Sequence, residues 1–173
     1  MWTNPNNTPA GGTVVIGLGN PLVGDDGLGL AALEQLRARG IDGDVELVDG
    51  GTWGLSLLPV IESAARVLLL DAIDAGGPPG TLHILRRDDL PRYLATRISP
   101  HEVDLQDVLA LAELRGTLPH ETVAIGLQPG RVETGCELSE AVRTRLDDLV
   151  AAVEHQLAAW RPVTGTASPP VHA

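Results

Sequence analysis

Two adjacent carboxylates, Asp25 and Asp26, follow a glycine-rich turn, and Asp49, Asp71 and His101 stand further along the chain. Carboxylates and imidazoles pass protons near neutral pH, and they also bind divalent cations. Asp26, Asp71 and His101 form the natural set. They could ligate a borderline divalent ion while leaving positions open, or serve as acid, base and orienting group on a water molecule. Asp25 reads as the neighbour that shapes the turn or caps the next helix. Asp71 follows the apolar run Arg66-Val67-Leu68-Leu69-Leu70, where a carboxylate needs partners. His101 lies in Ile98-Ser99-Pro100-His101-Glu102, a helix-start pattern from which an imidazole can reach across a sheet edge. His83, His120, His155 and His172 read as structural or solvated.

The elements that must carry these groups alternate along the chain. Thr13 to Leu18 reads as a buried strand, and Leu28 to Arg39 as a helix that Gly40 ends. Asp44 to Val48 is a second strand, stopping at Asp49-Gly50-Gly51-Thr52. Trp53 to Ala65 is a helix kinked at Pro59. Arg66 to Leu70 is a third strand ending at Asp71, and Thr81 to Leu85 a short fourth. Glu102 to Arg115 is a helix, Glu121 to Leu127 a fifth strand and Leu138 to Trp160 a long closing helix. Residues 1–12 form a flexible leader, 13–160 a single domain, and the Pro/Thr/Ser-rich stretch 161–173 a disordered tail.

Alternating helices and near-continuous apolar strands predict an α/β fold: a three-layer α/β/α sandwich with a mainly parallel, twisted sheet of about five strands. Ligands in such sheets sit beyond the carboxyl ends of the strands. That is where this chain gathers Asn20, Asp25, Asp26, the Asp49-Gly50-Gly51-Thr52 loop and Asp71.

Composition narrows the function. With 12 basic and 23 acidic residues the net charge is −11, which disfavours nucleic acid and anionic membranes as partners. With no Phe, one Tyr and three Trp, no base-stacking surface is expected. Cys136 is the only cysteine, so neither an internal disulfide nor a cysteine metal cage is available. The leader lacks a basic segment followed by an apolar one and no apolar run is long enough to span a bilayer, so a cytoplasmic location is expected. A dinucleotide turn G-x-G-x-x-G starting at Gly17 would need glycine where Leu22 stands. Phosphate-loop and G-x-S-x-G patterns are missing as well.

The segments GLGNPLVGDDGLG (17–29), DGGTWG (49–54), LLLDAID (68–74) and ISPHEVDLQDVLALAELRG (98–116) occur together and in order. They resemble the hydrogenase maturation endopeptidases, which remove a C-terminal extension from the large subunit of nickel-iron hydrogenases. The similarity spans roughly Val14 to Leu157. Peptidyl-tRNA hydrolases share the GLGNP turn, but here Leu22 replaces their glycine after the proline and their downstream His-Asn pair is absent.

The resemblance implies an endopeptidase whose partner is a large-subunit precursor. Nickel already inserted in that precursor would be the recognition signal, with no permanent cofactor in the protease. By motif position, the nickel contacts fall on Asp26, Asp71 and His101, the trio already reached from the strand ends. The family often has Glu where Asp26 stands, one methylene longer. Asn20, Asp49, Gly50, Gly51 and Thr52 would line the substrate peptide. Two other classes remain: a nickel-recognising maturation chaperone that docks without cutting, and a nucleotide-binding α/β enzyme.

Overall fold

The computed structural model describes residues 11–41, 45–90 and 105–161. The predicted leader up to residue 10 and the tail from residue 162 lie outside the described residues, as do Asp44 and His101.

Five strands form one sheet: β1 (Thr13–Leu18), β2 (Val45–Gly51), β3 (Arg66–Ala72), β4 (Leu82–Arg86) and β5 (Glu121–Leu127), in the order β2-β1-β3-β5-β4. β1, β2, β3 and β5 run parallel, and β4 joins β5 antiparallel at one edge. The helices are α1 (Leu28–Arg39), α2 (Leu58–Ser63), α3 (Leu105–Leu114), α4 (Glu140–Arg143) and α5 (Leu146–Trp160).

Side chains alternate across a strand, so each strand feeds two apolar layers. Val14, Ile16 and Leu69 pack with Leu57, Val60 and Ile61 around α2 and with Leu105, Val108 and Leu109 of α3. Val15, Leu68 and Leu70 pack with Leu28, Leu33 and Leu36 of α1 and with Leu149, Val150 and Val153 of α5. These two layers make the predicted α/β/α sandwich. Close approach of α1 depends on glycine: a Cβ on Gly17 would lie 2.7 Å from the Gly29 carbonyl oxygen.

The bounds of β1, α1 and β5 match the sequence reading. β2 continues through Asp49 to Gly51 because pairing with β1 resumes after a register shift that leaves Gly50 as the extra residue of a bulge. β3 includes Asp71, which pairs with Gly126, so the acid belongs to the strand rather than following it. β4 begins at Leu82, one residue later than expected.

Two helices differ from expectation. Gly54–Leu57 is a 3-10 turn, and Pro59 occupies the first turn of α2, where its missing N–H costs no helical bond. The closing helix is broken at Thr144 and Arg145. There the Thr144 hydroxyl donates to the Glu140 carbonyl at 2.9 Å, in competition with the backbone.

Candidate active site

The strand order reverses direction on either side of β1, and the carboxyl ends of β1 and β3 meet at this switch. Gly29, in the first turn of α1, is wedged between them. A Cβ there would lie 2.2 Å from the Leu70 carbonyl oxygen and 2.4 Å from that of Leu18. Leu70 directly precedes Asp71, and Leu18 opens the turn that leads to Asp26. One helix residue therefore packs on both strand ends, which are already paired at Gly17 and Leu70.

Beyond β1 the chain folds back on itself at Gly19, where φ is +107°. A Cβ on Gly19 would lie 1.8 Å from the Asp26 carbonyl oxygen, so only glycine permits the turn. Asp25 and Asp26 sit in the 3-10 turn Gly24–Gly27, which packs on β3. The Asn20 N–H donates to Asp26 Oδ2 at 2.8 Å, and Asn20 Oδ1 accepts from the Leu22 N–H at 2.9 Å. Asn20 thus orders the turn that carries Asp26.

The consecutive acids have different surroundings. Asp26 is half-buried at the sheet edge. The Asp25 carboxylate is sealed from solvent and makes no cap bond to the helix that follows. Its Oδ2 accepts from the N–H groups of Gly130 (2.7 Å) and Arg131 (2.8 Å) and from the Ser139 hydroxyl (2.7 Å). Its Oδ1 accepts from the Ser139 N–H at 2.6 Å. Burial pushes the Asp25 carboxyl up, but these hydrogen bonds outweigh it, the Ser139 hydroxyl first among them, and hold it below the ordinary carboxylate value. Of the two roles expected for Asp25, shaping the turn or capping the helix, the cap is not made: the carboxylate anchors the segment between β5 and α4 onto the turn. Further backbone bonds stitch the two together: Gly24 N–H to Gly135 at 2.7 Å, Gly135 N–H to Leu22 at 2.9 Å and Asp25 N–H to Arg131 at 2.9 Å.

Asp71 is 1% exposed. By alternation its side chain projects on the face of Leu69 and Ile73, the layer covered by α2 and α3. Leu90 and Leu105, the described residues that flank the stretch containing His101, belong to that same layer. The structure therefore brings Asp26 and Asp71 to one sheet edge, while His101 is outside the described residues. Among the described residues no group of three or more His, Cys, Asp or Glu side chains is arranged to hold a metal ion. Asp26 and Asp71 are both carboxylates, a donor type that divalent ions accept.

The Asp49-Gly50-Gly51-Thr52 turn lies alongside. Asp49 and Thr52 are exposed, and the Gly51 carbonyl accepts from the Gly19 N–H at 3.0 Å, tying the turns after β1 and β2 together. A Cβ on Gly50 would lie 2.6 Å from Ile16 Cγ2, which explains this glycine by packing.

Sequence reasoning gave no role to two features. The segment from Gly130 to Ser139 has no periodic pattern; its importance appears only through its contacts with Asp25. His83, read as structural, pairs with Gly126 on β5, the residue that pairs on its other side with Asp71. Its Nε2 is buried without a hydrogen-bond partner. Around the edge, Leu22, Trp53, Leu55 and Val132 expose large apolar side chains from the loops after β1, β2 and β5.

A half-buried acid and a buried acid at a switch point occur in many α/β enzymes, and the comparisons with known proteins specify which kind this is. A family model described as hydrogenase maturation protease matches residues 30–156. The hydrogenase expression/formation protein HupD of Rhodobacter capsulatus is 39% identical over 150 residues, covering 85% of this chain and 71% of that protein. The hydrogenase 2 maturation protease of Escherichia coli is 35% identical over 150 residues, covering 86% and 90%. Among solved structures, the hydrogenase maturating endopeptidase HybD of E. coli superposes with a TM-score of 0.79 at 32% identity, over 85% of this chain and 92% of that one. With sheet order, layers and sequence in agreement over most of its length, this chain belongs to the hydrogenase maturation proteases and is a hydrolase of the endopeptidase class.

Proposed function

We propose that this protein cleaves a C-terminal extension from the large-subunit precursor of a nickel-iron hydrogenase, and that Asp26, Asp71 and His101 engage nickel carried by the precursor. The observation that carries this reading is the meeting of the Asp26 turn and Asp71 at one sheet edge, wedged together by Gly29, in a chain of this family. Nickel is here part of the substrate, and when bound it supplies a Lewis acid for the scissile carbonyl or for a water.

The protein's own residues then have definite tasks. Asp26, held by the Asn20 N–H, presents a carboxylate at the half-open edge. Asp71, rooted in the strand, presents one from below with little freedom to move. His101 completes the set with a nitrogen donor or a proton acceptor. Asn20, Asp49, Gly51 and Thr52 line the path of the peptide, with the buried Gly50 supporting the turn from behind. Selectivity follows: a precursor without nickel gains nothing from these three groups and is left uncut. No helix among the described residues is long and apolar enough to cross a membrane, and we place the reaction in the cytoplasm.

The test is the mass of the precursor's C-terminus after incubation with the protease. Loss of a short peptide from nickel-loaded precursor alone is expected, and a docked but intact chain would mean a chaperone instead. Asp26→Asn, Asp71→Asn and His101→Ala should each slow cleavage by about 100-fold or more, the scale of losing a principal transition-state contact. Normal cleavage by all three would overturn the site.

A further inference from the structure

The geometry points to Asp25 as a positioning residue: by fastening the 130–139 segment onto the Gly24–Gly27 turn, it fixes where the neighbouring Asp26 carboxylate stands. This inference rests on the proposed function only for its effect on cleavage; its structural part stands alone.

The turn that carries Asp26 is four residues long, too short to hold its own shape by helical bonds. It is gripped from two sides. On one side Gly19 packs directly on the Asp26 carbonyl. On the other, Asp25 gathers three backbone N–H groups and one hydroxyl from residues more than a hundred positions away. Gly24 also fits tightly: a Cβ there would lie 2.7 Å from the Arg131 carbonyl oxygen, and its φ of +55° favours glycine. A charged carboxylate that accepts four hydrogen bonds in a sealed pocket makes strong, directional contacts. Removing its charge leaves several donors facing a weaker or repelling partner. The turn would then keep its grip on the β1 side and the backbone bonds of Gly24 and Asp25 to the 130–139 segment, but lose its four side-chain bonds, and the Asn20 N–H to Asp26 Oδ2 bond would loosen. Asp25 itself is sealed away from the edge, so it acts through Asp26 and not on the substrate.

Asp25→Asn and Ser139→Ala are compared with the intact protein below the melting transition of each, with native far-UV circular dichroism required. The first readout is the Asn20 amide in the 15N–1H spectrum, both its proton shift and its hydrogen exchange. A lower stability alone can speed exchange through unfolding but leaves the native-state proton shift where it is; a displaced Asp26 moves the shift. The second readout is single-turnover cleavage of the nickel-loaded precursor. For Asp25→Asn the Asn20 amide should shift and exchange faster, with cleavage slower by about tenfold or more, as small misplacements of reacting groups produce. Ser139→Ala, which removes one donor and keeps three, should move both readings in the same direction by less. An unmoved Asn20 amide in folded Asp25→Asn, with cleavage within about twofold of the intact protein, would overturn the inference. Should Asp25→Asn fail to fold, the same two readings on Ser139→Ala decide. If the amide moves but Asp26→Asn still cleaves normally, the positioning stands and the proposed site falls.

Discussion

Asp71 and Gly126 are paired across β3 and β5 so closely that a Cβ on Gly126 would lie 1.9 Å from the Asp71 carbonyl oxygen. The acid's backbone is thus seated on a position that tolerates no side chain. Gly126→Ala must push β3 and β5 apart or displace Asp71. We expect a loss of about 1–3 kcal/mol of stability, as for overpacked cores, read as a lower urea midpoint. Precursor cleavage should fall as well. An unchanged midpoint would show that the sheet yields there at no cost.

Asp26 offers a finer test of reach. Asp26→Glu lengthens the side chain by one methylene and keeps the carboxylate. Cleavage should stay within about tenfold of the intact protein, because the donor type is retained while its distance changes. Asp26→Asn should be far slower. If Glu and Asn were equally inactive, the carboxylate's placement would matter more than its charge.

Acidification should act on Asp25. Its folded-state pKa lies below the unperturbed 3.8, burial being outweighed by the hydrogen bonds from Ser139, Arg131 and Gly130. A depressed carboxylate stabilises the fold above its unfolded pKa, and that stabilisation is lost as pH falls through the folded value. Urea melts at several pH values should therefore show the intact protein's advantage over Asp25→Asn to be largest near neutrality and to shrink below about pH 4. A difference that grew with acid would contradict the hydrogen-bonded carboxylate.

Trp53 is 39% exposed beside the bulge at Gly50. If the precursor docks over the carboxyl edge, adding it should change Trp53 fluorescence, and Trp53→Ala should raise the half-saturating precursor concentration by about fivefold or more, the scale of a buried aromatic contact. Stability should change little. Unaltered fluorescence and unaltered half-saturation would move the docking surface elsewhere.

Arg39 marks the opposite extreme. It bridges Asp147 at 3.0 Å and Glu154 at 3.2 Å, joining α1 to α5, but all three side chains are more than a third exposed. Arg39→Ala should cost no more than about 1 kcal/mol in the same melts. A larger loss would mean that the two bridges act as a network.

Much of this was readable in the chain. The apolar run of β1, the Gly40 stop and the run ETVAIGL gave their elements to the residue, because burial on both sheet faces leaves an unbroken apolar signal. A different rule, that ligand groups gather beyond the carboxyl ends of the strands, pointed to the edge where Asp26 and Asp71 stand. What could not be read depends on distant contacts. Asp25 takes its partners from beyond position 129, across a segment without periodicity. The bulge at Gly50 arises from pairing with β1, which no local pattern encodes. Pro59 signalled a break, and only the preceding 3-10 turn explains why it starts a helix instead.

Gly29 settles one further matter. Because it packs on the ends of β1 and β3, which already pair at Gly17 and Leu70, the spacing of the strand ends that lead to Asp26 and Asp71 is set by backbone contacts and not by the length of chain between them. Residues added to the connections after α1 or after α2 would lengthen the path from one acid to the other without changing the gap. Relatives of this protein are then free to vary in size along those stretches while keeping the same spacing at the edge.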